Sequence, residues 1–460
     1  MKEKKGVSGR AVKVVVLVLM AVTLGAGIWM FVMENGALPT AGNTAMVFEE
    51  TDIVERYDMD SRAQIYTYKD GKGFFIATRD GIRFIASDGR EKMSCTYNMT
   101  TPRLAGRGGY AGVAEENGMS LYVCNAEGRL YTATTENPIL SFSVAANGYA
   151  VVITQKDDSY DVVVFNTEGK MSHYGLFVEA NVYPVAADVS NDGRILAVSY
   201  LDTSGGEMNS RILFSYVNKT EAADYAAANG VFAAVEYNPD RLVGMVRFME
   251  NNVLLALSDK DMVCYDAENG ARRKWSMDLG NKLDALCVSE AGWFAIAYGS
   301  RNPNISGEEP GLCRFYDLNM TVLGEYKAGA KVTQLSAGYN TVLVCCERQY
   351  TAVARSGNEL WQYDATHDVS QALFMENANK LVLAGSTQTG VIQRVKEKTE
   401  AETDAPVSGT PVDSTGTGLT NIPAPTEQAE ETPEPSEDAG GEEDAETMPS
   451  PTPMESEEEE

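Results

Sequence analysis

From residue 46 to 396 the chain is a succession of short apolar runs separated by glycine, asparagine and aspartate. Typical runs are 73–78 (GFFIAT), 149–154 (YAVVIT), 161–165 (DVVVF), 195–200 (ILAVSY), 253–257 (VLLAL) and 341–345 (TVLVC). They are short, β-branched and aromatic-rich, which predicts strands. Several are apolar throughout, as expected where a strand is covered on both faces. Helical periodicity is nearly absent apart from 220–228 (TEAADYAAA).

The turn signals between these runs recur. One series lies at Asp70-Gly71, Gly108-Gly109, Asn147-Gly148, Asp192-Gly193, Asn251-Asn252, Ala291-Gly292, Gly338-Tyr339 and Asn377-Ala378, with a period of about 40 and one long step of 59 that contains 220–228. A second, out-of-phase series lies at Asp88-Gly89, Glu127-Gly128, Glu168-Gly169, Asn269-Gly270 and Ser356-Gly357. Such pairs supply the positive φ that tight hairpins require. Four strands in about 40 residues, repeated, is the pattern of a β-propeller blade. The expected fold is therefore all-β: a β-propeller over 46–396 with eight four-stranded blades, or seven if the long fourth unit is irregular. The last unit shows only three clear strands, and 46–57 (MVFEETDIVERY) is the expected fourth, closing the ring.

Two units, 262–278 (MVCYDAENGARRKWSMD) and 354–364 (ARSGNELWQYD), place Gly270 or Gly357 in a turn with Trp275 or Trp361 after it. In these the chain resembles the quinoprotein-like and WD40-like propeller superfamily. Taken as a whole, residues 1 to about 396 are similar to a family of single-pass, membrane-anchored propeller proteins from Gram-positive bacteria, a resemblance that implies no activity. It departs from the lipoprotein propellers of outer-membrane assembly in having no cysteine after the apolar run at 14–33 to carry lipid.

That run (VVVLVLMAVTLGAGIWMFVM) is uncharged and long enough to span a bilayer core of about 30 Å. Lys2, Lys4, Lys5, Arg10 and Lys13 precede it, and no Lys or Arg follows before Arg56. The bias places residues 1–13 in the cytoplasm, 14–33 as a signal-anchor helix, 34–45 as a juxtamembrane linker and the propeller outside the cell. Gly25-Ala26-Gly27 imitates a signal-peptidase site, but residues 28–33 continue the apolar run past it.

Composition adds a last segment. The formal charge is −28, of which the chain from Thr399 carries −19, with nine of the sixteen prolines and no Lys, Arg or aromatic residue. Residues 397–460 are expected to stay disordered, as a repulsive spacer or, alternatively, a docking segment. The remaining chain carries −9, a mildly acidic balance without the basic surface that phosphate binding calls for, so nucleic acid is not an expected partner. The expected partners are the membrane and a protein or cell-envelope ligand.

Chemistry-bearing motifs are scarce. His173 and His367 are the two histidines, and neither has zinc-like spacing around it. Cys95, Cys124, Cys264, Cys287, Cys313, Cys345 and Cys346 mostly occupy apolar strand positions, which suits packed thiols, with one or two bridges between adjacent strands still open. No cofactor, no metal and no catalytic set is expected. The loops joining second and third strands look long at 155–160, 201–210 and 299–311, and in propellers these share one face. Asp157, Asp158, Tyr160, Asn302, Asn304 and Glu308 are the candidate contacts, the alternative being neutral insertions. The expected function is a non-enzymatic binding or scaffold module at the cell surface, with a sensor or enzyme holding a ligand in the central channel as the alternative.

Overall fold

The computed structural model describes residues 46–56, 63–177, 181–205, 208–218, 230–237, 241–279, 283–299, 311–375 and 378–396. The segments 1–13, 14–33, 34–45, 220–228 and 397–460, together with Asn302, Asn304 and Glu308, lie outside them. Among the described residues no helix is long and apolar enough to cross a membrane.

Among the described residues, thirty-two strands form eight antiparallel four-stranded sheets. Blade 1 is β2 (Gln64–Thr67), β3 (Gly73–Ala77), β4 (Gly81–Ala86) and β5 (Glu91–Thr96). Blade 2 is β6 (Pro102–Arg107), β7 (Tyr110–Glu115), β8 (Ser120–Asn125) and β9 (Gly128–Thr134). Blade 3 is β10 (Ile139–Val144), β11 (Ala150–Lys156), β12 (Ser159–Phe165) and β13 (Met171–Phe177). Blade 4 is β14 (Val182–Val189), β15 (Ile195–Asp202), β16 (Asn209–Tyr216) and β17 (Val231–Glu236). Blade 5 is β18 (Val243–Phe248), β19 (Val253–Ser258), β20 (Asp261–Asp266) and β21 (Arg272–Asp278). Blade 6 is β22 (Leu283–Ser289), β23 (Trp293–Tyr298), β24 (Leu312–Asp317) and β25 (Val322–Lys327). Blade 7 is β26 (Gln334–Ala337), β27 (Thr341–Cys346), β28 (Gln349–Ala354) and β29 (Glu359–Asp364). Blade 8 is β30 (Val369–Met375), β31 (Lys380–Gly385), β32 (Gln388–Lys396) and, as its outer strand, β1 (Met46–Arg56).

The fourth unit is a regular blade, which settles the count at eight. The amino-terminal strand closes the ring as its sequence suggested, pairing antiparallel with β32 from Met46 opposite Lys396 to Arg56 opposite Gln388. Its Phe48 ring packs against Trp361 and Tyr363 of blade 7, at centroid distances of 4.9 and 5.1 Å.

The core is divided among the blade interfaces. Each of eight apolar clusters joins two consecutive blades: Phe75, Phe84 and Val113 between blades 1 and 2, for example, and Ile65, Phe74, Val382 and Val391 between blades 1 and 8. Each sheet is thus covered on both sides near the axis, which explains the uninterrupted apolar runs: every residue of β3 is buried. The outer strands alternate instead, as in β5, where Met93 and Cys95 alone are buried. The tryptophans fasten the interfaces, with indole N–H groups donating to Leu318 O from Trp275, Tyr339 O from Trp293 and Ala378 O from Trp361. The turn at Gly357 shows why glycine is needed: φ is +92°, and a Cβ would lie 2.3 Å from Glu325 O of blade 6.

The two faces of the ring are chemically distinct. Turns between second and third strands bond to the connections between blades, as in Tyr97 N–H to Asp80 O, Thr135 N–H to Met119 O and Thr203 N–H to Asn181 O. They form one face, called here the loop face. Turns between first and second strands, and between third and fourth, form the other. Because residues 386–387 turn on the loop face, the Met46 end of β1 and the Lys396 end of β32 lie on the opposite one.

Candidate functional site

The innermost strands β2, β6, β10, β14, β18, β22, β26 and β30 surround the central channel, and their edges are stitched by side chains. Gln371 accepts from Ile65 N–H at 2.9 Å and donates to Ile65 O at 2.8 Å, joining blades 8 and 1 as a backbone strand would. Gln64 repeats the device toward Pro102 O and Leu104 N–H of blade 2, at 3.0 and 2.8 Å.

At the end of the channel opposite the loop face, charged groups from several blades converge. Arg107, at the end of β6, donates through one terminal nitrogen to Asp188 of β14 at 2.7 Å, with the two side chains 7 % and 0 % exposed. Asp188 also accepts from Ser143 Oγ of β10 at 2.8 Å and from the Phe248 N–H of β18 at 2.6 Å, so blades 2, 3, 4 and 5 meet on one carboxylate. Glu290, one residue past β22, reaches across to accept from Gly108 N–H of blade 2 at 2.5 Å and from Tyr66 Oη of blade 1 at 3.1 Å. Burial first, and then the charge of Glu290, push the Tyr66 hydroxyl well above its ordinary pKa, which keeps it a donor. These bonds from Glu290 span this end of the axis, from blade 6 to blades 1 and 2.

Arg247 of β18 lies in the same group. It is half-buried and hydrogen-bonds to none of the described residues. Burial lowers its pKa, followed by the charge of Arg107; the opposing influences of Asp188, Tyr66 and Glu290 are smaller. Its strongest charged neighbour is another cation.

The residues expected from loop length lie elsewhere. Asp157 and Asp158 are exposed at the tip of the β11–β12 hairpin on the loop face. The expected long loop at 155–160 is in fact a two-residue turn, because Lys156 pairs with Ser159 and Asp157 adopts φ +50°. Tyr160 is half-buried and meets the Tyr183 ring of blade 4 edge-on at 5.9 Å. The structure brings these three together, away from the channel group, while Asn302, Asn304 and Glu308 fall outside the described residues. His173 is buried in β13, and His367 sits in the connection between β29 and β30. All seven cysteines are free thiols, buried except for half-buried Cys287. Among the described residues no group of three or more His, Cys, Asp or Glu is placed to hold a metal ion.

Sequence reasoning missed the channel group. A usable signal was present: Arg107, Asp188, Arg247 and Glu290 are isolated charges in otherwise apolar or small-residue segments, each within five residues of a first-series turn.

Residues 44–393 match the family described as "Family of unknown function (DUF5711)". The chain belongs to this family. The match spans the ring from two residues before β1 to within three residues of the end of β32. No curated protein matches the chain. Among solved structures it is similar to BamB from Moraxella catarrhalis, at 14% identity over 77% of this chain and 99% of that one, with a TM-score of 0.46. A eukaryotic initiation factor follows at 13% identity over 70% and 81%, TM-score 0.46, and the Neurospora crassa Pan2 WD40 domain at 13% over 72% and 89%, TM-score 0.40. The blade count of this chain stands on its own strand pairing.

Proposed function

We propose that this family member is a membrane-anchored extracytoplasmic propeller that acts as a non-enzymatic binding or scaffold module, capturing a protein or cell-envelope ligand on its loop face. The observation that carries the reading is the polarity of β1, whose Met46 end opens on the face opposite the loop face. An anchor at 14–33, joined through residues 34–45, would therefore enter from the side of the ring opposite the loop face. A linker of that length reaches at most about 40 Å. The ring is held near the bilayer with its loop face turned outward, and loops on a rigid scaffold are where recognition tends to reside.

The test is site-specific photocrosslinking in cells, with the crosslinker at Asp158 on the loop face or at Glu168 on the opposite face of the same blade. A discrete adduct from position 158 and none from 168 is expected. Identical adducts from both positions, or none from either, refute the assignment of the face. Protease treatment of intact protoplasts checks the topology: the propeller should be cut or shed, and full protection would place it inside.

A further inference from the structure

The channel group contains two carboxylates and two guanidiniums, but their hydrogen bonds are unevenly shared. Asp188 is occupied by Arg107, Ser143 and Phe248 N–H. Glu290 accepts from both Gly108 N–H and Tyr66 Oη through Oε1, and its Oε2 accepts from none of the described residues. Arg107 uses its terminal nitrogens on Asp188 and, at 3.5 Å, on Asn191, while its Nε is buried without any acceptor. Arg247 has the whole of its donor fork unused toward the described residues. A guanidinium cannot shed its charge at any physiological pH, so this position keeps a positive charge beside a second one. The two guanidiniums thus bring more donors than the one uncommitted carboxylate oxygen, Glu290 Oε2, can accept, which leaves room for a further acceptor.

We propose that Arg247, supported by the buried Arg107, forms a binding site in the central channel for a small oxyanion, a carboxylate or a phosphate group. The planar fork of arginine matches both geometries through two parallel hydrogen bonds. The bond between Glu290 and Gly108 spans the axis from blade 6 to blade 2, which restricts the site to a small ion or the terminal group of a larger molecule. The site stands apart from the loop face and does not depend on which macromolecule that face captures. It also supplies a role for a half-buried guanidinium set beside a second cation, an arrangement that costs stability where no acceptor offsets it.

The test titrates the full-length protein in detergent with sodium phosphate and, separately, sodium acetate, at constant ionic strength set by sodium chloride. Calorimetry and the thermal midpoint are both read. Saturable binding of phosphate or acetate is expected, with a rise in midpoint that chloride does not reproduce, and the arm that binds more tightly names the anion class. R247M should abolish binding, and R247K, which keeps the charge but loses the fork, should weaken it about tenfold. R348M, on the loop-face side of blade 7, should bind as the unaltered protein does. In anion-free buffer R247M should unfold at or above the midpoint of the unaltered protein, a result that a purely structural arginine would not give. Absence of saturable binding by either anion, or binding undiminished in R247M, overturns the proposal. Should R247M fail to fold, R247K decides: affinity equal to that of the unaltered protein overturns it.

Discussion

Replacing Asp188 by alanine removes the one carboxylate on which four blades meet. The variant leaves the Arg107 guanidinium, 7 % exposed, without its counter-charge, and it leaves Ser143 Oγ and the Phe248 N–H without their acceptor. Breaking a buried ion pair from one side costs roughly 3–5 kcal/mol. Each orphaned neutral donor adds about 1–3 kcal/mol, less when water can enter, and neighbouring losses do not simply sum. A total near 5 kcal/mol is the working figure, a third or more of the stability of a typical domain. Urea unfolding followed by the fluorescence of Trp275, Trp293 and Trp361 measures it. With a slope of about 3 kcal/mol per molar, the midpoint should fall by roughly 1.5 M. The double replacement R107M/D188L should recover about half of the loss, because it removes both charges and leaves only the two neutral donors unpaired. A loss below about 1 kcal/mol for D188A, or a double variant no better than the single one, would refute the claim that this carboxylate organises the channel.

Three further outcomes follow from the same structure. Phe48→Ala strips the half-buried ring that β1 sets against Trp361 and Tyr363, and it should lower stability by about 2 kcal/mol in the same urea assay; an unchanged midpoint would mean that β1 is held by its backbone alone. Asp192 has its carboxyl pushed up by burial but lowered further by Ser190 Oγ, Asn252 Nδ2 and the Arg194 N–H, for a net value below the ordinary 3.8, so its contribution is complete above about pH 4 and disappears as pH falls through the folded value. D192N should therefore be less stable at neutral pH and show a shallower acid-side decline in thermal midpoint, and parallel curves would exclude the assignment. Burial pushes the thiols of Cys124, Cys264, Cys287 and Cys313 up to about 12 and raises those of Cys345 and Cys346, so a chromogenic disulfide reagent at pH 8 should label the native protein slowly and all seven thiols after denaturation; rapid native labelling would show that a strand carrying one of them opens readily.

How much of this was legible in the chain depended on whether the signal was local. The turn pairs were readable because a tight hairpin demands positive φ from its own residues: Gly71, Gly148, Gly193, Asn252 and Gly292 all adopt it, and they mark the blades in order. Closure by β1 was readable because the eighth unit lacked a strand and an apolar segment stood unassigned ahead of the first. The turn at 157–158 was misjudged in length because polar Gln155 and Lys156 read as loop, yet they extend β11 outward, paired with Tyr160 and Ser159 of β12. The channel group was illegible as a set. Arg107 and Asp188 lie 81 residues apart and Gly108 and Glu290 182, and nothing in either neighbourhood names its partner. Only the fold, which brings the inner strands to one axis, turns four isolated charges into a network.

The same distance governs how the ring closes. β1 opens the propeller and β32 ends it, so their pairing joins chain ends roughly 350 residues apart, at a loop-closure cost of order 5 kcal/mol in conformational entropy. The contacts that offset it must be largely available at closure, because a chain dominated by distant pairings folds slowly and exposes unpaired edges meanwhile. Two sets meet that requirement. The register from Met46–Lys396 to Arg56–Gln388, with Phe48 seated on blade 7, holds the rim, while Gln371 joins the inner strands of blades 8 and 1 at the hub. Cross-channel bonds from blade 6 to blades 1 and 2 then tie the last-made third of the ring to the first, without passing through the blades between. The polar bridges across the axis and the borrowed outer strand are two solutions to one topological problem. Arg247 stands out against them because it takes part in neither set of hydrogen bonds.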